Sequence, residues 1–192
     1  MYKRQLLKSL PALESLHLPP SSLTLSELEH EQLRELALFR YDIGHNGRPS
    51  DPHERAEILP PPRGSGLTFL SRTRLPRLEK LVIDFTYYWH VPWEAADFQA
   101  LAEANLPALR SLELTCIPSV AQVLLHLVNA CWLGSIETLT LDEFSLDAAA
   151  VDILVKMRPK LARLRELRAS YCGSEALSAQ LREAYPFAIV KW

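Results

Sequence analysis

The amino-acid sequence predicts an α/β fold in which short parallel strands alternate with helices. The first observation is a phrase of the form Leu-x-x-Leu-x-Leu, with Ile or Ala at one anchor in three of its six copies. The copies are LPALESLHL, LRELAL, LPRLEKLVI, LPALRSLEL, LGSIETLTL and LARLRELRA. The second observation is the spacing of the copies, whose first apolar anchors are Leu13, Leu33, Leu78, Leu109, Ile136 and Leu164. Successive anchors are 20, 45, 31, 27 and 28 residues apart. A phrase that recurs at such intervals is typical of proteins built from stacked repeats.

Each copy of the phrase predicts one short strand. The second and third anchors of a copy are two residues apart, as Leu112 and Leu114 are. Because side chains in a strand alternate between two faces, such a pair shares one face of the strand. Stacking the strands in parallel then produces an inward ladder of apolar side chains. Almost complete burial is therefore predicted for Leu81, Leu112, Leu139 and Leu167.

Amphipathic segments between the later copies are the third observation, and they predict helices. Apolar residues at positions i, i+3, i+4 and i+7 mark the segments 94–104, 119–131 and 147–158, and Ser174 begins another such segment. The inward side chains are predicted to be Phe98, Leu101, Ala102, Val120, Val123, Leu124, Leu127, Val128, Cys131, Val151, Leu154, Val155, Leu177 and Leu181. Asp147 and Ser174 have side chains suited to helix N-caps, and Pro186 is suited to end the last helix.

The two ends of the pattern and its longest step are irregular. The first step leaves room only for a short helix over residues 26–33, and the tail 187–192 is predicted to be a final strand or a cap. The second step contains an excess of residues at about 44–74, a stretch rich in Pro and Gly. Such composition predicts an excursion loop without a regular repeat, and the stretch 44–71 is predicted to be the most mobile or most protruding part of the chain.

The phrase, together with steps of 27 to 31 residues that contain a full helix, resembles the leucine-rich repeats of the ribonuclease-inhibitor-like subclass. The resemblance implies a curved right-handed α/β horseshoe, a solenoid with parallel strands on the concave face and helices on the convex face. It implies a single domain over residues 1–192 with about six repeats. It also implies a function in binding, because the long curved surface of a solenoid serves recognition.

Composition argues against several classes of partner. Lys and Arg number 21 against 23 Asp and Glu, which gives a formal net charge of -2. This balance lacks the basic excess of a nucleic-acid binder or of a protein held electrostatically at a membrane surface. The three cysteines have no metal-ligand spacing, so we expect buried thiols in a reducing, cytoplasmic compartment. Neither a nucleic acid nor a membrane is expected as a partner.

The sequence contains none of the common catalytic or nucleotide-binding motifs. His45 and His53 lie near Asp51 and Glu54 and would suit a metal ion, but polar residues of a surface loop explain this grouping equally well. We therefore expect no enzyme activity, no catalytic residue, no metal, no cofactor and no small-molecule substrate.

A protein partner is the expectation, and two features suggest where it binds. An aromatic run, Phe85 to Trp93, follows the third predicted strand, and aromatic side chains are enriched at interface hot spots. An alternative is that Tyr88 and Trp93 fill the core beneath the excursion. Strand alternation also places Ala37, Phe39 and Val82 in an apolar patch bordered by acidic side chains. The predicted partner-binding residues are Phe39, Val82, Asp84, Tyr87, Tyr88, Trp89 and Glu113.

Two alternatives to an interaction module remain open from the sequence. One is a regulatory protein, such as an activator of a nucleotide hydrolase, for which an exposed loop arginine such as Arg40 would be needed. The other is a structural spacer within a larger protein. The fold does not decide among these functions, because one fold serves many of them.

Overall fold

The computed structural model describes residues 10–18, 28–39, 67–84, 94–116, 119–142, 146–170 and 172–191. Within these ranges, seven strands form one parallel sheet in which spatial order follows chain order. The strands are β1 (Ser15–Leu18), β2 (Glu35–Phe39), β3 (Lys80–Asp84), β4 (Ser111–Thr115), β5 (Thr138–Asp142), β6 (Glu166–Ser170) and β7 (Ile189–Lys191). The helices are α1 (Ala95–Glu103), α2 (Val120–Leu127), α3 (Ala148–Met157) and α4 (Glu175–Ala184). The α/β prediction is confirmed.

The strand register aligns the predicted anchors across the sheet. Leu81 pairs with Leu112, Leu112 with Leu139 and Leu139 with Leu167. These four side chains are at most 2% exposed, as predicted. The predicted tail strand is present as β7, which pairs with β6. The period-two pattern of the phrase therefore indicates both the strands and their buried face.

The helices cover the apolar face of the sheet and share its core. Buried side chains from α1 to α4 belong to the same apolar cluster as the strand anchors, and each helix packs beside the next along the chain. Side chains cap three helix N-termini, where backbone N–H groups have no helical partner. Asp147 Oδ1 accepts from Ala150 N at 2.7 Å, and Ser174 Oγ accepts from Leu177 N at 3.3 Å. No helix in the described part of the chain is long and apolar enough to cross a membrane.

Several side chains predicted to face the core are less buried than expected. Ala102, Val128, Val155 and Leu177 are only half-buried, and Cys131 is exposed. Cys131 is the clearest error, because α2 ends at Leu127 and the helical periodicity used for the prediction stops there. The expectation of buried thiols holds for Cys172, whereas Cys116 is half-buried.

The end of the predicted excursion is part of the folded core. Residues Leu67–Arg72 form a 3-10 helix against α1, and Leu67, Phe69 and Leu70 are buried. The carboxylate of Asp97 in α1 fixes this segment, since Oδ1 accepts from Leu67 N at 2.7 Å. The other oxygen, Oδ2, accepts from Glu94 N at 3.2 Å. The prediction of a mobile or protruding stretch is thus wrong for Leu67, Phe69 and Leu70, and residues 44–66 lie outside the described ranges.

The short helix predicted over residues 26–33 is absent from its described part, residues 28–33. Instead, Glu29 forms an isolated bridge with Arg74, which also bridges Asn105. His30 is buried, and its Nδ1 accepts from Gln32 N at 3.2 Å. Its Nε2 therefore carries the proton and donates to the carbonyl oxygen of Leu10 at 2.9 Å. These bonds satisfy the local polar groups without a helical turn.

Tyr185 links the last helix to the neighbouring helix. Its ring is 2% exposed, and its hydroxyl donates to the carbonyl oxygen of Leu154 in α3 at 2.6 Å. Burial raises the pKa of Tyr185 to about 12, and the positive charge of Arg158 opposes part of this rise. The neutral phenol is therefore the form that the folded chain favours.

We predict that Leu112→Ala lowers the free energy of unfolding by about 2–5 kcal/mol, because it opens a cavity in the centre of the ladder. Ser111→Ala, on the same strand but half-exposed, serves as the control and should change stability by about 0.5 kcal/mol or less. Urea denaturation followed by circular dichroism measures both. Equal midpoints for Leu112→Ala and wild type would contradict the observed register.

We predict that Asp97→Ala destabilises the chain by about 1–3 kcal/mol, because the buried N–H group of Leu67 loses its acceptor. Glu103→Ala, at the exposed end of the same helix, is the matched control. Hydrogen exchange should accelerate at Leu67 in Asp97→Ala and remain unchanged in the control. Unchanged protection at Leu67 would show that the carboxylate does not hold the 3-10 segment.

We predict a tyrosine-dependent loss of stability at alkaline pH. The pKa of Tyr185 is raised from an ordinary value of about 10 in the unfolded chain, so the folded state retains the proton longer. Its contribution is present below pH 10 and is lost as pH rises towards 12. Urea midpoints measured between pH 9 and pH 11.5 should fall more steeply for wild type than for Tyr185→Phe. Parallel pH profiles would refute the role of this phenol.

Candidate partner-binding surface

Alternate strand residues point away from the leucine ladder and form a second face, which we call the polar face. In β4 and β5 the alternation is regular, with buried leucines between half-exposed polar residues. The described side chains of the polar face are those of Ser15, His17, Glu35, Ala37, Lys80, Val82, Asp84, Ser111, Glu113, Thr115, Thr138, Thr140, Asp142, Glu166, Arg168, Ser170 and Ile189. Sheet hydrogen bonds fix the backbone beneath them, so these side chains have a set spacing of about 4.8 Å from strand to strand.

The sequence predicts an exposed apolar patch of Ala37, Phe39 and Val82, but Ala37 and Val82 are buried, and the side chain of Phe39 lies outside the described part of the chain. Val82 pairs with Ala37 across β2 and β3, but Val82 is 6% exposed and Ala37 is 1% exposed. The length of the neighbouring side chains is one reason for the burial of Val82 and Ala37. Lys80 Nζ contacts Glu35 Oε1 at 2.9 Å and so joins the same two strands with longer side chains. The side chains of Ala37 and Val82 are shorter than those of Lys80 and Glu35. The prediction of Val82 as an exposed contact residue is therefore wrong, since Val82 is buried.

Three carboxylates come together on the adjacent strands β3, β4 and β5. The register places Thr115 between Asp84 and Asp142, and Glu113 lies on the same face two residues before Thr115. The two aspartates are thus about two strand spacings, or about 10 Å, apart. All four side chains are half-buried. We call Asp84, Glu113, Thr115 and Asp142 the acidic cluster.

The acidic cluster is supported by neighbouring polar contacts. Ser170 Oγ in β6 donates to Asp142 Oδ1, and Ser170 itself is buried. The backbone of Cys116, just after β4, has a φ of 57° and donates its N–H to the carbonyl oxygen of Asp142 at 3.2 Å. A non-glycine residue rarely adopts this left-handed conformation, and here it turns the chain out of the sheet beside the cluster.

The polar face has a negative formal charge. Its described side chains include five carboxylates, on Glu35, Asp84, Glu113, Asp142 and Glu166, and two cations, on Lys80 and Arg168, which gives a net charge of -3. The cations pair with neighbours on the face, since Lys80 bonds to Glu35 and Arg168 bonds to Glu166 at 2.6 Å. The other three carboxylates of this face are those of the acidic cluster.

The register brings together four of the predicted partner-binding residues, Phe39, Val82, Asp84 and Glu113, with Val82 paired to Glu113. The backbone of Phe39 pairs with Asp84 at the end of the strands, which agrees with the predicted neighbourhood. Tyr87, Tyr88 and Trp89 lie outside the described residues, as do Arg40, His45 and His53. Thr115 and Asp142 were also predicted to lie on this face, Asp142 in the acidic border with Asp84 and Glu113, but neither was chosen as a contact residue.

A cleft on the helical side was not predicted. It lies between α1 and α2, has a volume of about 510 Å³, and is lined by Gln99, Ala102, Glu103, Leu125, His126, Asn129 and Cys131. Leu125 is an exposed apolar residue of α2 and lies outside the set of buried positions of this amphipathic helix. Among the described residues, no group of three His, Cys, Asp or Glu side chains is arranged to hold a metal ion.

Charges alternate along the edge of the sheet where the strands begin. The residue that follows the first anchor of each copy is, in order, Glu14, Arg34, Glu79, Arg110, Glu137 and Arg165. Backbone hydrogen bonds place these residues side by side, as between Glu79 N and the carbonyl oxygen of Arg34 at 2.8 Å. Ion pairs join Arg34 to Glu79 at 2.9 Å and Arg110 to Glu137 at 3.0 Å. We call these six residues the charge row.

The chain was compared with known families, curated proteins and solved structures. No family model, no curated protein and no solved structure matches it.

Proposed function

We propose that the chain is a leucine-rich-repeat protein of the ribonuclease-inhibitor-like subclass that acts as a protein-interaction module. In this proposal the polar face is the concave surface of a curved solenoid and the helices form its convex surface. The parallel strands in chain order, the aligned leucine anchors and the helices between the later strands support the proposal. Residues 1–192 would form one domain, with the six copies of the phrase as its repeats.

The acidic cluster is the observation that carries the choice of binding site. Asp84, Glu113 and Asp142 hold three carboxylates at fixed positions on adjacent strands. Because the sheet is rigid, these side chains lose little backbone freedom when a partner binds. A partner that offers Lys and Arg side chains matches the charge of this surface. The proposed partner is therefore a protein with a basic contact surface.

The size of the polar face indicates that the partner also contacts the adjoining loops. Seven strands at about 4.8 Å and five residues at about 3.3 Å give a face of roughly 500 Å². A standard protein interface buries about 800 Å² on each partner. The missing area would come from segments beside the ends of the strands. Phe39, Tyr87, Tyr88 and Trp89 are the proposed contributors, since they follow or end strands next to Asp84.

We predict that the double substitution Asp84→Lys and Glu113→Lys weakens partner binding by about tenfold or more, because like charges then meet at the contact. Partners would be captured with the wild-type chain as bait, identified by mass spectrometry, and measured by calorimetry with the purified variant. The thermal midpoint should stay near that of wild type, since both side chains are half-exposed.

The matched control is Glu103→Lys with Asp152→Lys, which makes the same change of charge on exposed helix residues. This control should bind the partner with the affinity of wild type. Normal binding by the polar-face variant, with loss of binding by the control, would place the interface on the helices and would refute the proposal.

A further inference from the structure

At β1, the first strand of the described part of the chain, the apolar ladder is not completely buried. Leu16 and Leu18 are half-buried, whereas their register partners Leu36 and Leu38 are at most 1% exposed. Leu10, next to this end, is 44% exposed. A stack of repeats exposes its core at a terminal unit unless another surface covers it. The β1 end therefore offers a partly apolar surface together with an outer strand edge.

The sheet ends at β7 with apolar side chains as well. Phe187 is 40% exposed and Ile189 is 48% exposed. Within the described residues, β7 pairs only with β6, and β1 pairs only with β2. Among the described strands, β1 and β7 thus each have one edge without a partner strand, and such edges can pair with further strands through their backbone groups.

The charge row gives the two ends opposite signs. Its inner members form the pairs Arg34 with Glu79 and Arg110 with Glu137. Within the described part of the chain, the outer members Glu14 and Arg165 form no ion pair, and both are exposed. The β1 end therefore carries an exposed carboxylate, and the β7 end carries an exposed guanidinium at the same level of the sheet.

We propose that the chain binds a second copy of itself head to tail, with the β7 edge of one copy in parallel against the β1 edge of the next. This arrangement continues the parallel sheet and places Phe187 and the ladder-face residue Val190 beside the half-buried Leu16 and Leu18 of the next copy, while Ile189 meets the polar face of its β1. Arg165 and the Glu14 side chain of the next copy would be two strand spacings, about 10 Å, apart at Cα. Extended Arg and Glu side chains together span that distance.

The opposite charges favour this arrangement over a symmetric one. Pairing two β1 edges would bring two Glu14 side chains into one interface and leave both Arg165 side chains outside it. Head-to-tail contacts use two different surfaces of each copy, so each bound copy still offers a free end. The assembly consequently grows with concentration or closes into a ring. A symmetric contact, in contrast, would be complete in a dimer.

Sedimentation velocity of the full chain over a wide range of concentration tests the proposal. The expected average mass rises with concentration from that of the 21.8 kDa monomer to more than two copies. Glu14→Arg and Arg165→Glu should each weaken association by about tenfold, because like charges then face each other. An equimolar mixture of the two variants should regain wild-type association, since every contact in it can join opposite charges.

Arg163→Glu is the matched control, because it makes the same charge change at an exposed residue two positions before Arg165. It should associate as wild type does. Ile189→Lys, which places a charge on the apolar β7 edge, should weaken association even if a charge-row variant folds poorly. Circular dichroism verifies folding of every variant. The polar-face variant should associate normally, which separates this test from that of partner binding.

A chain that stays monomeric at all concentrations would overturn the proposal. A dimer that does not grow and tolerates Glu14→Arg would also overturn it, in favour of a symmetric contact. Failure of the mixture to recover association, with both variants folded, would show that Glu14 and Arg165 do not meet.

Discussion

Burial of the leucine ladder is the constraint on which the rest of this fold depends. Each of the strands β1 to β6 contributes two apolar anchors, and the register aligns them across the sheet. A slip of one residue would turn both anchors of a strand to the polar face. Since burial of one leucine is worth about 1.5–3 kcal/mol, such a slip is strongly disfavoured. The parallel order, the layer of helices and the positions of the polar residues all follow from this alignment.

The strands, the four helices and the ladder could be predicted from the sequence because each depends on local periodicity. The segment at 67–72 could not, because its place in the core depends on Asp97, which is 30 residues away from Leu67. Composition rich in Pro and Gly before it predicted an excursion that continues through residues 67–71, where the structure has buried side chains. Cys131 was misplaced for a related reason, since the turn after Leu127 ends the helical pattern that the apolar spacing continues.

The candidate surface was predictable only in part. Strand alternation assigned Asp84 and Glu113 to the polar face, because that assignment needs nothing beyond the parity of each strand. The exposed fraction of Val82 depends on the lengths of the neighbouring side chains, including those of the ion pair Lys80 and Glu35. Strand alternation gives the face of each residue but not how deeply its side chain is buried. The bond from Ser170 to Asp142 joins residues 28 positions apart, so it follows from the register of β5 and β6.

The alternation of sign in the charge row also limits how the number of strand units can change during evolution. Loss of the unit that contains Glu79 would place Arg34 beside Arg110, whereas loss of two consecutive inner units would leave acidic and basic neighbours alternating. Each exposed pair is worth at most about 1 kcal/mol, so the preference is modest for one contact and accumulates along the row. Duplication or deletion by pairs of units is thus the route that preserves this edge of the sheet, and related chains should differ in length by about two units at a time.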